Sequence, residues 1–486
     1  MTNKRRAVPG VHPYDGPAGG WGALKATAIA VRTQMDAFEA PATLLRTNQP
    51  DGFDCPGCAW PDKEHKSTFQ FCENGAKAVT WEATTKRVTP AFLAANTVTS
   101  LLAKSDFELE GYGRLTHPLV YDRASDTLRP VAWEQAFARI GEILRGLQPN
   151  EVEFYTSGRA SNEAAWLFQL YAREYGTNNF PDCSNMCHES TSVGLPQSIG
   201  IGKGTVSLDD FDQTELVISI GHNPGTNHPR MMGTLHELSR RGVPIIVFNP
   251  LRERALERFA DPQNVMEMAT RRSTPIASTY YQVRAGGDAA ALKGIAKALL
   301  QLEEEQGNVL DHAFIAQHTQ GFSAFAEDLH ATRWQDIEQE SGLTRESLTQ
   351  VAVAYAKSRA TIVTYGMGIT QHNKGTSNVR LIADLLLMRG NIGKPGAGIC
   401  PLRGHSNVQG NRTVGISEKP SAAFLDSLQR VMGITPPRHH GHDAVKALEA
   451  MIAGDAKALI CLGGNFAVAM PDHERAFPAM RGLGLS

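Results

Sequence analysis

Short runs of apolar residues, each followed by glycine or asparagine, recur from residue 216 to the end of the chain. An uninterrupted apolar run of four to six residues that ends in turn-forming residues is typical of a strand buried on both faces. Four runs of this kind are Leu216–Ile220, Ile245–Phe248, Ala360–Tyr365 and Ala458–Leu462. A fifth run, Glu153–Thr156, lies earlier in the chain and ends at Ser157 and Gly158.

Between these predicted strands the apolar residues recur at a period of three to four, which predicts helices. The predicted helices are Ala136–Leu147, Asn162–Tyr175, Arg230–Arg241 and Thr376–Met388. Strand, loop, helix and strand joined by short connections predict an α/β fold with parallel sheets. Ligands of such sheets bind in the loops beyond the carboxyl ends of the strands.

Length and charge narrow the class of protein. The chain has 486 residues, which suggests about three domains, and its 48 Lys and Arg against 50 Asp and Glu give a net charge of −2. This balance argues against nucleic acid as the main partner. No segment is apolar for long enough to span a membrane, and no apolar segment follows Lys4-Arg5-Arg6 to complete an export signal. We therefore expect a soluble, cytoplasmic protein.

The first hundred residues are rich in turn-forming residues and are expected to be irregular, with a short strand at Ala78–Trp81. Cys55 and Cys58 lie three residues apart in this region. Two thiolates at this spacing suit zinc, an iron–sulfur cluster or a redox disulfide, and a zinc site would draw further ligands from Cys72 and His65. The alternative is that Cys72 is only a small buried residue.

A second candidate is Cys187, which is followed by His188 and a polar segment. A neighbouring histidine promotes the thiolate form of cysteine, which is both a nucleophile and a soft metal ligand. A helix that begins near Thr191 would direct its N-terminal dipole toward this thiolate.

Residues 390–410 form the most glycine-rich and polar part of the chain. The segment is not a phosphate loop of the Walker type, because Pro395 follows Lys394 and no Ser or Thr stands at the position where the magnesium ligand is needed. Its length predicts a functional loop, and its Arg, Asn and Gln residues suit a heteroaromatic ligand with phosphates. By its position in a helical pattern, Arg380 is most simply a solvated cation.

Several of these motifs together resemble a known family. The chain resembles the molybdopterin oxidoreductases of the formate dehydrogenase catalytic-subunit type, within the branch of cytoplasmic formate-dehydrogenase-like proteins that includes an acid-resistance oxidoreductase of enteric bacteria. The resemblance runs from about His12 to the last residue. It is strongest in residues 55–62, 186–195, 221–229, 365–371 and 390–410.

The resemblance implies a multi-domain fold with parallel-sheet, Rossmann-like domains. It implies two molybdopterin guanine dinucleotides that hold molybdenum or tungsten, with a 4Fe–4S cluster nearby. It places Cys187 as the metal ligand, His188 as a proton-handling neighbour and Arg380 as the residue that holds the substrate anion. The cluster ligands would be Cys55, Cys58 and Cys72. The dinucleotide contacts would come from Gly221, Asn223, Asn249, Arg252, Met367, Gly368, Gln371, Asn407, Gln409, Gly410, Gly463 and Asn465.

The domains expected from the resemblance are residues 1–112, carrying the cluster, a discontinuous α/β domain of residues 113–182 and 381–486, and a second α/β domain of residues 183–380. The family continues beyond the position of Ser486 into a cap domain, so a truncated chain is expected.

The chain departs from the family at the cluster motif. The third cysteine of the usual motif is replaced by Asp62, so the cluster is expected to be ligated by an oxygen, altered or labile. A lysine that lies between cluster and pterin in the family falls on Asn74, and Lys77 is a possible substitute.

Three functions follow as hypotheses. The first is oxidation of a small anion such as formate to CO2, with two electrons passing through the cluster to an unidentified acceptor protein. The second keeps the cofactor and reduces an oxyanion or sulfoxide. The third is an inactive remnant in which the cysteines hold zinc.

Overall fold

The computed structural model describes residues 14–36, 38–62 and 68–486. The strands are β1 Ala18–Gly19, β2 Arg87–Val88, β3 Arg114–Leu115, β4 Leu119–Asp122, β5 Thr127–Pro130, β6 Val152–Thr156, β7 Leu216–Ile220, β8 Ile245–Phe248, β9 Arg258–Ala260, β10 Thr274–Pro275, β11 Thr279–Tyr281, β12 Thr361–Tyr365, β13 Gly398–Pro401 and β14 Ala458–Leu462.

The helices of the first half are α1 Gly20–Gln34, α2 Glu39–Arg46, α3 Glu73–Glu82, α4 Pro90–Ala95, α5 Val98–Leu102, α6 Asp106–Gly111, α7 Trp133–Arg145, α8 Asn162–Tyr175, α9 Cys183–Cys187, α10 Glu189–Ile199, α11 Asp210–Gln213, α12 Pro224–Asn227 and α13 Met231–Arg240. Those of the second half are α14 Arg254–Glu257, α15 Val265–Thr270, α16 Asp288–Gln306, α17 His312–His318, α18 Phe322–Ala331, α19 Trp334–Ser341, α20 Arg345–Lys357, α21 Met367–Thr370, α22 Gly375–Leu387, α23 Val408–Thr413, α24 Ala422–Met432, α25 Ala444–Ala453, α26 Phe466–Ala469 and α27 His473–Arg481.

A five-stranded parallel sheet in the order β11-β8-β7-β12-β13 organises the middle of the chain. Every residue of β7 is buried, and its alternate side chains enter two separate cores. Leu216 and Ile218 pack with α16, α20 and α22, whereas Val217 packs with α13 on the opposite face. This double burial explains the uninterrupted apolar runs, and the predicted parallel sheet is confirmed.

A second, two-stranded parallel sheet pairs β6 with β14, placing Val152 opposite Ala458. It joins two parts of the chain that the predicted discontinuous domain also combined. The predicted boundary at residue 380 falls inside α22, however, and β13 pairs with β12 in the larger sheet. The larger sheet therefore extends about twenty residues past that boundary.

The prediction of an irregular first hundred residues is wrong for the part that the structure describes, because α1 alone spans fifteen residues. The strand predicted at Ala78–Trp81 is also wrong, since these residues lie in α3. Cys72 begins this helix by accepting a hydrogen bond from the backbone N–H of Gly75. Ala76 and Val79 then bury one face of α3 against Leu44 and Cys55.

The glycine-rich segment of residues 390–410 is not a continuous loop. It contains β13, which joins the edge of the larger sheet, and the start of α23. Within the described ranges, no helix combines the length and apolar character needed to cross a lipid bilayer.

Candidate active site

A cleft of about 1690 Å³ lies where the carboxyl ends of both sheets meet the cysteine-bearing residues. Its volume exceeds the 300–1,000 Å³ typical of pockets for drug-sized molecules, so the cleft has room for a large cofactor. It brings together many of the residues predicted from sequence. These lining residues are Cys55, Cys58, Cys72, Cys187, Gly221, Asn223, Met367, Gly368, Gln371 and Asn407.

Glycines allow the two strand-end loops of the larger sheet to touch. Gly221 follows β7 with a φ of 57°, a left-handed conformation that favours glycine. A Cβ atom on Gly368, after β12, would lie 2.7 Å from the carbonyl oxygen of Gly221. The Gly368 N–H donates a 3.0 Å hydrogen bond to the Gly221 carbonyl oxygen, and both loops line the cleft.

Cys187 is the last residue of α9 and lies on the cleft wall. Its Sγ atom is 3.4 Å from Sδ of Met367, and its carbonyl oxygen accepts a 2.7 Å hydrogen bond from the Thr370 hydroxyl. Burial raises the pKa of the Cys187 thiol, while the Gly404 N–H and the charge of Arg403 oppose that rise. The site is therefore one in which a bound metal ion would complete the deprotonation.

The cation whose charge acts on this thiol is Arg403, which the sequence analysis placed in the polar segment of residues 390–410 but not beside Cys187. Its side chain is 4% exposed, and it donates one hydrogen bond of 2.9 Å to the Gly202 carbonyl oxygen. Its Nε–H is buried and has no partner among the described residues. Arg403 does not itself line the cleft, so it acts on Cys187 through its charge.

Arg380, the predicted anion-binding residue, is instead exposed on α22 and does not line the cleft. Its charge acts on Asp384, where it opposes a burial effect that raises the pKa of that carboxyl to about 6. The structure thus brings Arg403, and not Arg380, to Cys187.

His188 is fully buried and does not line the cleft. Its Nε2–H donates to the Leu402 carbonyl oxygen at 2.9 Å, so Nδ1 accepts from the Thr191 hydroxyl at 3.1 Å. Burial, followed by the charge of Arg403, lowers the pKa of His188 to about 3. Both ring nitrogens are engaged within the protein, and the ring is neutral.

A pair of histidines, His222 and His228, supports the backbone of Arg403. His228 Nε2–H donates to the Arg403 carbonyl oxygen, at 2.6 Å, which makes its Nδ1 the acceptor for His222 Nε2–H at 2.8 Å. This order of donors leaves His222 Nδ1 as a buried acceptor with no partner in the described structure. His222 lines the cleft, so an N–H or O–H of a bound molecule can complete the chain.

Three cysteines gather on the opposite wall. A Cβ atom on Gly75 would lie 3.3 Å from Sγ of Cys55 and 3.6 Å from Sγ of Cys72. Burial raises the pKa of Cys58, and it raises that of Cys72 to about 11. No three His, Cys, Asp or Glu side chains in the described ranges are placed to share one metal ion, and His65 lies outside those ranges.

Neither Asn74 nor Lys77, the residues considered for the position between cluster and pterin, supplies a free positive charge. The side chain of Asn74 donates a 2.6 Å hydrogen bond to the Thr226 carbonyl oxygen. Lys77 lines the cleft but forms a 2.6 Å ion pair with Glu73, one turn away on α3.

The other predicted dinucleotide contacts lie outside the cleft lining. Asn249 is buried and donates to the His222 carbonyl oxygen at 3.4 Å, and Arg252 pairs with Glu257 at 2.6 Å. Gln409 is exposed, while Gly410 lies close to Asn407. Beyond β14, Gly463 has a φ of 71° and Asn465 caps α26. Their cofactor roles stay predictions.

Comparison with known proteins identifies the family. The model of the molybdopterin oxidoreductase family matches residues 114–482. The chain belongs to the molybdopterin oxidoreductase family. It is 56% identical over 482 residues to the protein named YdeP of Escherichia coli K12. The aligned region covers 98% of this chain and 64% of that protein. The chain therefore spans less than two thirds of the length of this relative.

Two more distant relatives and one solved structure also match parts of the chain. An uncharacterized oxidoreductase of Mycobacterium tuberculosis is 45% identical over 93% of this chain and 58% of its own length. The alpha subunit of an F420-dependent formate dehydrogenase of Methanococcus maripaludis is 29% identical over 76% of this chain and 52% of its own. Acetylene hydratase of Pelobacter acetylenicus shares the fold, with a TM-score of 0.58, 17% identity and coverage of 76% of this chain and 52% of its own.

The residues of the cleft fit a molybdopterin cofactor. The touching glycine loops line the cleft without side chains, His222 Nδ1 offers an unpartnered acceptor, and Cys187 offers a thiol ligand on the same surface. Soft thiolate and heteroaromatic-binding groups are therefore present together, as this cofactor requires.

Proposed function

We propose that this chain forms the cofactor-binding part of an oxidoreductase that removes two electrons from a small anion, with formate as the preferred substrate. The observation that carries the proposal is the thiol of Cys187 on the wall of a cleft that the thiols of Cys55, Cys58 and Cys72 also line. Molybdenum or tungsten on two pterin guanine dinucleotides would supply the two-electron chemistry when bound.

Arg403 attracts the substrate in this proposal. Its positive charge, which acts on the Cys187 thiol, would draw the carboxylate toward the atom that Cys187 ligates. The segment is rigid because His188 and His228 each donate a hydrogen bond to it, at the Leu402 and Arg403 carbonyl oxygens respectively. These histidines therefore act by positioning Arg403 and not by taking up the substrate proton.

The residue placed to accept that proton is His405, which lines the cleft two residues after Arg403. Burial and the charge of Arg159 lower the pKa of His405, so its ring is neutral and able to accept a proton at neutral pH. Electrons would leave toward Cys55, Cys58 and Cys72, because these thiols line the same cleft and are the ligand type of iron–sulfur clusters.

Anaerobic purification followed by metal analysis and a viologen-linked assay tests the proposal. We expect molybdenum or tungsten together with iron, viologen reduction by formate, and loss of that activity in Cys187→Ala. Faster oxidation of reduced viologen by nitrate or a sulfoxide would instead favour the reductase hypothesis. Zinc without molybdenum, tungsten or iron would overturn the oxidoreductase proposal.

A further inference from the structure

Asp62, which occupies the position of a missing cysteine, is engaged by a partner from another part of the chain. Its Oδ1 forms an ion pair with Nη2 of Arg230, the residue immediately before α13. Both side chains are largely buried, with 26% of Asp62 and 14% of Arg230 exposed. A partly buried carboxylate whose charge is matched in this way is not a free metal ligand, since binding a metal would leave the guanidinium unpaired.

Arg230 makes further contacts with the same segment. Its Nη1 donates to the Trp60 carbonyl oxygen at 3.2 Å and its Nη2 to the Pro61 carbonyl oxygen at 3.4 Å. The indole of Trp60 packs edge-on against Phe211, with ring centroids 5.6 Å apart, in the core of the larger sheet. One guanidinium thus binds three successive residues and holds their backbone against the α/β core.

Two other contacts fasten the cysteine-bearing residues to the strand-end loops. Arg159 Nη1, beyond β6, donates to the Pro56 carbonyl oxygen at 2.8 Å. Asn74 donates to the Thr226 carbonyl oxygen in α12 at 2.6 Å. Together with Arg230, these contacts fix the positions of the cysteines relative to the cleft.

We propose that Asp62 is a latch, held in its ion pair with Arg230, and not a cluster ligand. Cys55, Cys58 and Cys72 then supply three thiolates, and one corner of an iron–sulfur cluster has no ligand among the residues that the structure describes. This inference rests on the cluster assigned under the proposed function. An iron atom without a thiolate is the atom most readily removed, and Arg230 would be a positioning residue that also places a positive charge beside the cluster.

The test counts iron in the full chain after anaerobic reconstitution with ferrous iron and sulfide. Ferricyanide then takes one electron from the cluster, and EDTA captures the ferrous ion that leaves. We expect the parent protein to keep about three of about four irons. Asp62→Asn, a matched variant without a carboxylate, is expected to keep the same number, whereas Asp62→Cys keeps about four because a fourth thiolate is present.

Redox titration of the cluster and hydrogen exchange provide readouts besides activity. Arg230→Met is expected to shift the reduction potential of the cluster to a more negative value, because a nearby positive charge is lost. Asp62→Asn and Arg230→Met should each speed amide exchange in residues 55–62 several-fold, and the double variant should add little to either one.

The outcomes separate this inference from the proposed function. Loss of one iron in Asp62→Asn relative to the parent, with molybdenum content and formate oxidation retained, would identify Asp62 as a ligand and overturn the latch alone. An Asp62→Cys protein that keeps no more iron than the parent would overturn the open corner. Failure of every variant to bind iron would overturn both this inference and the proposed electron path.

Discussion

At the scale of the residue, Arg403 is the cation whose charge acts on the Cys187 thiol. We expect Arg403→Met to raise the KM for formate by about tenfold, because the loss of a charge interaction of about 1.4 kcal/mol weakens binding tenfold. In metal-free protein the same change should slow alkylation of Cys187 at pH 8, since Arg403 lowers the pKa of that thiol. Steady-state kinetics and mass spectrometry of iodoacetamide-labelled protein measure the two effects.

Arg380→Met is the matched control, because this arginine is exposed and its charge acts on Asp384. Its KM and Cys187 labelling should equal those of the parent. A larger effect from Arg380→Met than from Arg403→Met would restore the original prediction for Arg380.

The sequence alone was sufficient to include Cys187 and Met367 among the candidate residues, but it did not place Arg403 beside them. Cys187 belongs to a dense local motif, whereas Arg403 lies more than two hundred residues away and approaches it only through the fold. Arg380 was selected by family resemblance. The burial of the Arg403 Nε–H depends on the packing of β13 and Gly202, which no local pattern reveals.

At the scale of the element, the contact between the loops after β7 and β12 controls the shape of the cleft. Gly368→Ala would place a methyl group 2.7 Å from the Gly221 carbonyl oxygen, and the backbone must move to relieve this clash. We expect a loss of about 1–3 kcal/mol in the free energy of unfolding and a lower pterin content. Urea unfolding and fluorescence of the released pterin are the measurements.

Gly233→Ala is the control for Gly368→Ala, because it is the same change of residue at another position. Gly233 lies inside α13, and a Cβ atom there meets nothing within 4 Å. This substitution should stabilise the protein by about 0.5–1 kcal/mol, since alanine favours the helix. Equal destabilisation by the two substitutions would contradict the role assigned to the glycine contact.

The position of α9, which ends in Cys187, depends on a buried cation from α23. Arg412 forms a 2.8 Å ion pair with Glu418 and lies 3.9 Å from Asp182 and 3.7 Å from Glu189, which flank α9. Arg412→Met should cost about 3–5 kcal/mol in the free energy of unfolding, because it leaves the fully buried carboxyl of Asp182 without a counter-charge.

An exposed ion pair provides the control for Arg412, because removing such a pair changes the free energy of unfolding far less. Arg359 forms a 2.7 Å ion pair with Glu215 while 88% of its side chain is exposed. Arg359→Met should therefore change the free energy of unfolding by less than about 1 kcal/mol. Similar losses in Arg412→Met and Arg359→Met, compared by urea unfolding, would rule out a special role for Arg412.

Elements with strong periodicity were predicted well, and short or polar ones were not. The bounds predicted for β7, β8, β14 and α8 agree with the structure residue for residue. The failure at Ala78–Trp81 has a physical reason: four residues are too few to distinguish a strand from one turn of an amphipathic helix. β13 was missed because its four residues lie among glycines, and pairing with β12 determines its conformation.

At the scale of the whole molecule, the buried histidines make stability depend on pH. Burial lowers the pKa of His222 and His228 below the ordinary value of 6.5. The unfolded chain therefore binds more protons than the folded chain below about pH 6.5, and stability falls as pH falls. Each histidine contributes a slope of up to about 1.4 kcal/mol per pH unit.

Urea unfolding between pH 7.5 and 5.5 measures this dependence. His222→Gln should retain a hydrogen-bonding side chain yet show a shallower slope than the parent, because one neutral histidine has been removed. Parallel pH profiles for the parent and His222→Gln would show that His222 does not contribute.

The pairing of β6 with β14 also has a consequence for synthesis of the chain on the ribosome. Every strand of the larger sheet emerges before Ala458, so that sheet can form while β6, synthesised earlier, still lacks its partner. At about 5–20 residues per second, the interval between the two strands is roughly 15–60 s. During this time the five residues of β6, all buried in the finished protein, are a segment of nascent chain that needs protection by a chaperone.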